Sequence, residues 1–309
     1  MKVLFWGTPH FATPPLRALL GEGFDVVGVV TQPDRPQGRS RSTLVPSPVK
    51  EIAVEEGLPV LQPERPRGAE FLEAMGGLGA DVSVVVAYGH ILPRAAIDLP
   101  RAGTLNIHAS LLPALRGAAP IQAAIRQGLA ETGVTIMRMV PQLDAGPIIL
   151  QSPTPILEDE TYGELQLRLS EMGAQALIEA LSLLDVGGAT EVPQDDALAT
   201  YAPKVERDDA RVRWADDAPA VARTVRAYDP KPGAWSTLRG ADVKLYGART
   251  VADAGGEPGE VRAVDEGGML VACATGAVRI AYVHPAGKRR LAALDWAQGR
   301  GVGVGERLE

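Results

Sequence analysis

The sequence predicts a doubly wound, mostly parallel α/β domain followed by a small β-barrel, and two observations carry that prediction. Over its first two thirds, short Val- and Ile-rich runs alternate with helical patterns, the order that builds a parallel sheet. From about Val212 onward the helical runs give way to short strands and turns, as in a small barrel.

The elements follow in order. "KVLFWG", "DVVGVVTQ", "LPVLQP", "DVSVVVAYG", "TLNIHA", "GVTIMRMV" and "PIILQ" read as strands, and several are apolar at successive positions, as strands buried on both faces must be. The intervening "PPLRALLGEG", "SPVKEIAVEEG", "GAEFLEAMGGLG" and "AAPIQAAIRQG" carry Pro or Ser near their starts and Gly at their ends, which marks helices. A longer amphipathic run, "TYGELQLRLSEMGAQALIEALSLLDVGG", closes this first domain, assigned to residues 1–189. "ATEVPQDDALATYAPKVERDD" reads as a polar linker, assigned to residues 190–211. The barrel, residues 212–309, contains "GAWSTLRGADVKLYGARTV" and "PGEVRAVDEGGMLVACATGAVRIAYVHPAG". No repeat or low-complexity segment interrupts the chain.

Composition narrows the functional classes. A chain of 309 residues suits two domains, and 46% hydrophobic residues suffice for a sizeable core. The opening "MKVLFWGTPHF" has too short an apolar run for a signal segment, and no run approaches a membrane span, so the expected location is the cytoplasm, away from any membrane. The single cysteine, Cys273, excludes an intramolecular disulfide and reads as a small core residue. His10, His90, His108 and His284 are too scattered for zinc spacing, and no metal is expected. The net charge of −7 argues against nucleic-acid binding over the whole surface. Residues 1–206 hold 15 basic and 24 acidic groups (−9), and residues 207–309 hold 16 and 14 (+2), so the last third is the relatively basic part.

Open α/β sheets bind ligands outside the carboxyl ends of their strands, and "TLNIHASLLP" puts Asn106 and His108 there. Strand residues two apart point the same way, so amide and imidazole can converge on one reacting atom. The alternative is a pair that only satisfies strand-end backbone groups. A third group favours chemistry: "ETGVTIMRMVPQLDAGPIIL" places Asp144 in a Gly/Pro-flanked loop after another strand. An amide for an oxyanion, an imidazole to move a proton and a carboxylate to orient or charge it suit acyl transfer to an amine. No serine or cysteine stands out as a nucleophile, which favours direct transfer; Ser110 lacks a nucleophile-elbow context and reads as a turn hydroxyl.

"NIHASLLPALRGAAPIQ", "TGVTIM", "LDAGPII", "GTPHFATPPL", "TQPDRPQGR" and "PSPVK" together resemble the methionyl-tRNA formyltransferase family, from residue 1 to near residue 309. The N-x-H-x-S-L-L-P and D-x-G pieces are common to 10-formyltetrahydrofolate-dependent transformylases. "TQPDRPQGR", "RGAAPIQ" and the β-rich second domain are more specific to the tRNA enzymes. The resemblance implies a Rossmann-like catalytic domain, an OB-like barrel and a catalytic trio of Asn106, His108 and Asp144. In that reading Asn106 and a protonated His108 bind the oxyanion, the imidazolium serves as acid to N10, and Asp144 holds the imidazolium. The folate co-substrate is expected at Val86, Tyr88, Gly89, Ile91 and Leu92 and at Ser110, Leu111, Leu112 and Pro113, where loops can offer a flat pterin an apolar slot.

The acceptor implied is methionyl initiator tRNA, bound by a protein expected to be monomeric. Residues 34–50 carry Arg35, Arg39, Arg41 and Lys50 against one acid, Asp34, with neither helix nor strand period. By residue type this is either a solvated loop or an arginine-rich one that reads phosphates. The resemblance implies that it enters the acceptor-stem end, with Arg39 matching the family's arginine. Where the family more often has a lysine pair, this chain has "SRSTL", so Arg41 is expected to carry part of that charge. In "HPAGKRRL", Lys288, Arg289 and Arg290 are expected to meet the tRNA backbone. No GxGxxG follows the first strand, where "GTPHFA" stands instead, which disfavours NAD and a nicotinamide oxidoreductase. A non-catalytic RNA-binding protein is disfavoured by the intact trio.

Overall fold

The computed structural model describes residues 1–37, 43–252 and 255–309. Along the chain run β1 (Lys2–Gly7), α1 (Thr13–Gly21), β2 (Asp25–Val30), β3 (Arg35–Gln37), β4 (Thr43–Val45), α2 (Pro48–Glu55), β5 (Val60–Leu61), α3 (Ala69–Gly77), β6 (Val82–Val86), α4 (Arg94–Ile97), β7 (Thr104–His108), α5 (Pro120–Gln127), β8 (Glu131–Arg138), β9 (Ile148–Pro155) and α6 (Tyr162–Asp185). Then follow α7 (Ala218–Ala227), β10 (Ala234–Leu238), β11 (Ala241–Val251), β12 (Val261–Asp265), β13 (Gly268–Ala272), β14 (Ala277–Pro285), β15 (Leu291–Ala292) and α8 (Ala293–Gln298). Two compact units result: Met1–Gly117, Thr132–Thr154 and Gln166–Tyr201 form one, and Ala118–Glu131, Pro155–Leu165 and Ala202–Glu309 the other.

The first unit is built on a seven-stranded sheet in the order β5-β2-β1-β6-β7-β8-β9. The strands from β5 to β7 are parallel, and β8 returns antiparallel to β7, with His108 opposite Thr135. The mostly parallel sheet read from the sequence is thus present. Val3 to Trp6 are fully buried and Val82 to Val86 nearly so, because both faces of the central strands are covered. The order reverses between β1 and β6, the switch point beside which such sheets hold their ligands. Loops are tied together at this edge: Thr8 Oγ1 and Gln32 Nε2 both donate to the Tyr88 carbonyl, at 3.0 and 2.9 Å. Helix α6 packs close under β7 at Gly173, where a Cβ would lie 2.9 Å from Ile107 Cγ2.

One element went unforeseen. The arginine-rich stretch forms a short antiparallel pair, β3 with β4, Arg35 opposite Val45. Each strand has three residues, too few to show a period. Asp34 anchors the base, accepting from Lys50 Nζ at 2.6 Å and Gln62 Nε2 at 2.8 Å, and these bonds hold its carboxyl below the usual carboxylate range.

The second unit carries an antiparallel sheet in the order β10-β11-β14-β13-β12, with β15 on β14. Residues 305–309 join its two edges. On the β12 side Leu308 N donates to Gly259 O and Gly305 N to Val261 O, while Thr237 of β10 exchanges two bonds with Glu309. Helix α7 starts at the Asp217 cap, which accepts from Ala220 N, and turns Val221, Ala222 and Val225 inward. Cys273 is buried, and burial pushes its thiol up to about 11.

Candidate active site

Asn106 and His108 sit two apart on β7. Asn106 is half-buried and, among the described residues, no group hydrogen-bonds its side-chain amide. His108 is buried, 6% exposed, with Nε2 3.0 Å from the Leu115 carbonyl oxygen. A carbonyl only accepts, so the proton is assigned to Nε2 and the neutral ring presents a bare Nδ1. That nitrogen faces Asp144 Oδ2 at 3.7 Å. The same carboxylate oxygen accepts from Gly117 N at 2.7 Å. The three predicted residues therefore lie in one unit, with His108 and Asp144 facing each other.

The electrostatics correct one expectation. Burial pushes the His108 imidazole below its ordinary value; the Asp144 charge and the Leu115 carbonyl oppose this without overcoming it. The direction of this shift runs against the expected resting imidazolium held by Asp144. At 3.7 Å the attraction is weaker than the desolvation of an almost fully covered ring, so the net effect favours the free base.

The backbone around the pair is held tightly. Ser110 Oγ donates to Ala114 O at 2.6 Å, Leu112 N to Thr135 Oγ1 at 3.1 Å, and Gln151 Nε2 to Leu112 O at 2.8 Å. Leu115 and Asp144 have left-handed backbones, φ 59° and 47°, which cost a non-glycine residue about 1–2 kcal/mol and persist only where the surroundings impose them. Gly146, the last residue of D-x-G, has no alternative, since a Cβ there would fall 1.8 Å from Arg138 O.

Sequence reasoning missed the groups that impose this geometry. Arg116, 4% exposed, donates from Nε and Nη2 to Gln194 Oε1 at 3.1 and 2.8 Å and from Nη2 to Asp196 Oδ1 at 2.8 Å. Leu115 N donates to Thr200 Oγ1 at 2.8 Å. Arg116 lies within the quoted "RGAAPIQ", and a buried role for it had no signal but its apolar neighbours. Gln194, Asp196 and Thr200 fall in the stretch expected to be linker.

The expected folate residues divide by what they can offer. Val86 and Tyr88 turn their side chains into the core, where Tyr88 meets Trp6 edge-on at 5.2 Å, so only their backbones are presented. Leu92 and Leu112 are also buried, and Ser110 Oγ is engaged by Ala114. Gly89 and Ile91 are exposed, Ile91 at 89%, while Leu111 and Pro113 are partly covered. Among the described residues no cluster of three His, Cys, Asp or Glu could hold a metal ion, and no helix is long and apolar enough to cross a membrane.

A family model described as formyl transferase matches residues 1–181, and one described as its C-terminal domain matches residues 204–301. The chain belongs to the formyl transferase family. Over its whole length this formyl transferase is 49% identical to the methionyl-tRNA formyltransferase of Aromatoleum aromaticum, covering 97% of it, and 45% identical to that of Moorella thermoacetica, covering 99%. Among solved structures, HypX of Aquifex aeolicus in complex with tetrahydrofolic acid matches 98% of the chain with a TM-score of 0.69 at 22% identity. The match spans 48% of HypX. The sugar 3N-formyl transferase WlaRD matches 93% of the chain and 98% of its own, with a TM-score of 0.66 at 17% identity. At such identities these two likenesses show the fold.

The basic residues expected at an acceptor differ in freedom in this formyl transferase. Arg35 is exposed on β3 and donates to Gln32 Oε1. Arg39 and Arg41 lie outside the described residues. Lys288 and Arg289 are exposed at the turn after β14 and, among the described residues, have no acidic partner. Arg290 is engaged: its guanidinium stacks 4.1 Å from the Tyr246 ring and 5.1 Å from that of Tyr282, and lies 3.6 Å from buried Asp229.

Proposed function

We propose that this formyl transferase moves the formyl group of 10-formyltetrahydrofolate to the α-amine of methionyl initiator tRNA, leaving N-formylmethionyl-tRNA and tetrahydrofolate. One observation carries the reading: an unpartnered Asn106 amide shares β7 with a buried, neutral His108 that faces Asp144. The acceptor rests on relatives named methionyl-tRNA formyltransferase, 44–49% identical over essentially the whole chain.

Asn106 donates to the formyl oxygen as the free-base amine attacks the formyl carbon and the new C–N bond forms. His108 Nδ1 takes the proton the amine must lose, and Asp144 stabilises the imidazolium so formed. The ring then returns that proton to N10 as the bond from N10 to the formyl carbon breaks. Proton and electron pairs balance without a redox partner or a metal. The backbone at Gly89, exposed Ile91 and the Leu111–Pro113 edge supply the apolar slot for the folate. The core-facing side chains of Val86, Tyr88 and Leu92 and the Ser110 hydroxyl shape that slot from beneath.

Residues 1–189, with residues 190–201 packed into the same unit, serve as the catalytic domain and residues 212–309 as the tRNA-binding domain. Arg35, Arg39, Arg41, Lys288 and Arg289 meet tRNA phosphates, and Arg290 supports its turn between the two tyrosines. The protein works as a cytoplasmic monomer. Incubation with 10-formyltetrahydrofolate and methionyl initiator tRNA is expected to yield formylmethionyl-tRNA, resolved by acid gel. Formylation of an amino sugar or a small nucleotide amine in its place would overturn the acceptor.

A further inference from the structure

We infer that Gln194, in the stretch read as linker, is a positioning residue that sets the separation of His108 and Asp144. The inference rests on the catalytic roles proposed above for those two residues.

Its side-chain amide is used at both ends. Nε2 donates to the carbonyls of Asp144 and Gly146, at 2.8 and 2.7 Å, the first of them on the residue whose left-handed backbone carries the carboxylate. Oε1 accepts from two nitrogens of buried Arg116. The backbone on either side of Arg116 touches both members of the pair: Leu115 O is 3.0 Å from His108 Nε2, and Gly117 N donates to Asp144 Oδ2 at 2.7 Å. Gln194 thus joins the loop that fixes the imidazole to the loop that fixes the carboxylate. Only a primary amide can do this from one position, because two carbonyls need donors and a guanidinium needs an acceptor. Glutamate keeps the acceptor and sets a carboxylate against two carbonyl oxygens. Leucine keeps the volume and loses every bond.

The test uses the full chain with Gln194→Glu and Gln194→Leu, and reads kcat, the KM for folate and for methionyl-tRNA, and the His108 titration by NMR. Both variants are expected to lose roughly 10- to 100-fold in kcat, the scale of a misplacement of about 1 Å. Both KM values are expected to stay within about twofold. With Asp144 drawn away, the His108 midpoint is expected below that of the wild type. Gln194→Glu preserves size and polarity and keeps the test decisive if Gln194→Leu does not fold. Wild-type kcat and titration in folded Gln194→Glu would overturn the inference. Asp144→Asn, assayed alongside, separates the two failures. Normal turnover in that variant removes the catalytic reading and the positioning role with it, whereas an inactive Asp144→Asn beside a normal Gln194→Glu removes the positioning role alone.

Discussion

At the scale of single residues, the site works by leaving one polar group free and spending the others. The Asn106 amide has no partner among the described residues, while Ser110, Thr135 and Gln151 are committed to loop backbone. If that free amide meets the developing oxyanion, Asn106→Ala should lower kcat by roughly 10²–10³-fold and leave tRNA affinity nearly unchanged, as steady-state kinetics and a binding isotherm would show. Near-normal turnover would sink the assignment. The His108–Asp144 pair gives a prediction with a sign. Burial lowers the His108 pKa and the Asp144 charge opposes it, so Asp144→Asn removes the opposing effect and the pKa falls further. If His108 is the proton acceptor proposed, its base form is the active one and its protonation sets the acidic limb of kcat/KM in the free enzyme. That limb should move to lower pH in the variant, while kcat falls by roughly 10²-fold or more because the transient imidazolium has lost its counter-charge. An acidic limb that stays in place would show that Asp144 does not act on His108 electrostatically.

At the scale of elements, legibility followed the length and burial of each segment. β1, β6 and β7 are buried runs of five or six residues between turn signals, so their apolar continuity announced them, and the N-x-H spacing put Asn106 and His108 on one strand, where the structure has them. The three-residue strands β3 and β4 had no period to show. Gln194 was invisible for another reason: its partners lie 48 to 78 residues away along the chain, and nothing local distinguishes a glutamine that clamps a loop from one that faces water. The direction of the His108 shift was equally hidden, because it depends on how deeply the ring is covered. The β3–β4 pair is a rooted arm. Lys50 is spent on Asp34 at its base, which leaves Arg39 and Arg41 as the arginines between its strands. Arg39→Ala/Arg41→Ala should weaken tRNA binding and reduce the slope of log K against log salt by up to about 2, since a phosphate that no arginine neutralises keeps its counterion. Folate binding should not change. An unaltered slope and KM for tRNA would make the arm a connector.

At the scale of the whole molecule, the second unit depends on its last few residues. An antiparallel sheet ending at β10 and β12 would present two rows of unpaired backbone groups, and residues 305–309 cover both. Leu308 is 1% exposed, and backbone bonds tie this segment to Thr237, Gly259 and Val261. Ser236 Oγ adds a bond to Glu309 O at 2.7 Å. At about 1 kcal/mol net for each bond and about 2 kcal/mol for the buried leucine, the segment supplies a large share of the ~5–15 kcal/mol that holds a domain folded. Deleting residues 306–309 should therefore lower the melting temperature of the second unit by more than about 10 °C, roughly what a loss of several kcal/mol does to a domain of this size. Three of the four tryptophans, Trp214, Trp235 and Trp296, lie in this unit, so their fluorescence reports its unfolding directly. Folate binding, read in the first unit, should survive the deletion, and if the second unit binds tRNA as proposed, the KM for methionyl-tRNA should rise. An unchanged tryptophan transition in the shortened protein would mean that β10 and β12 hold their edges without this segment.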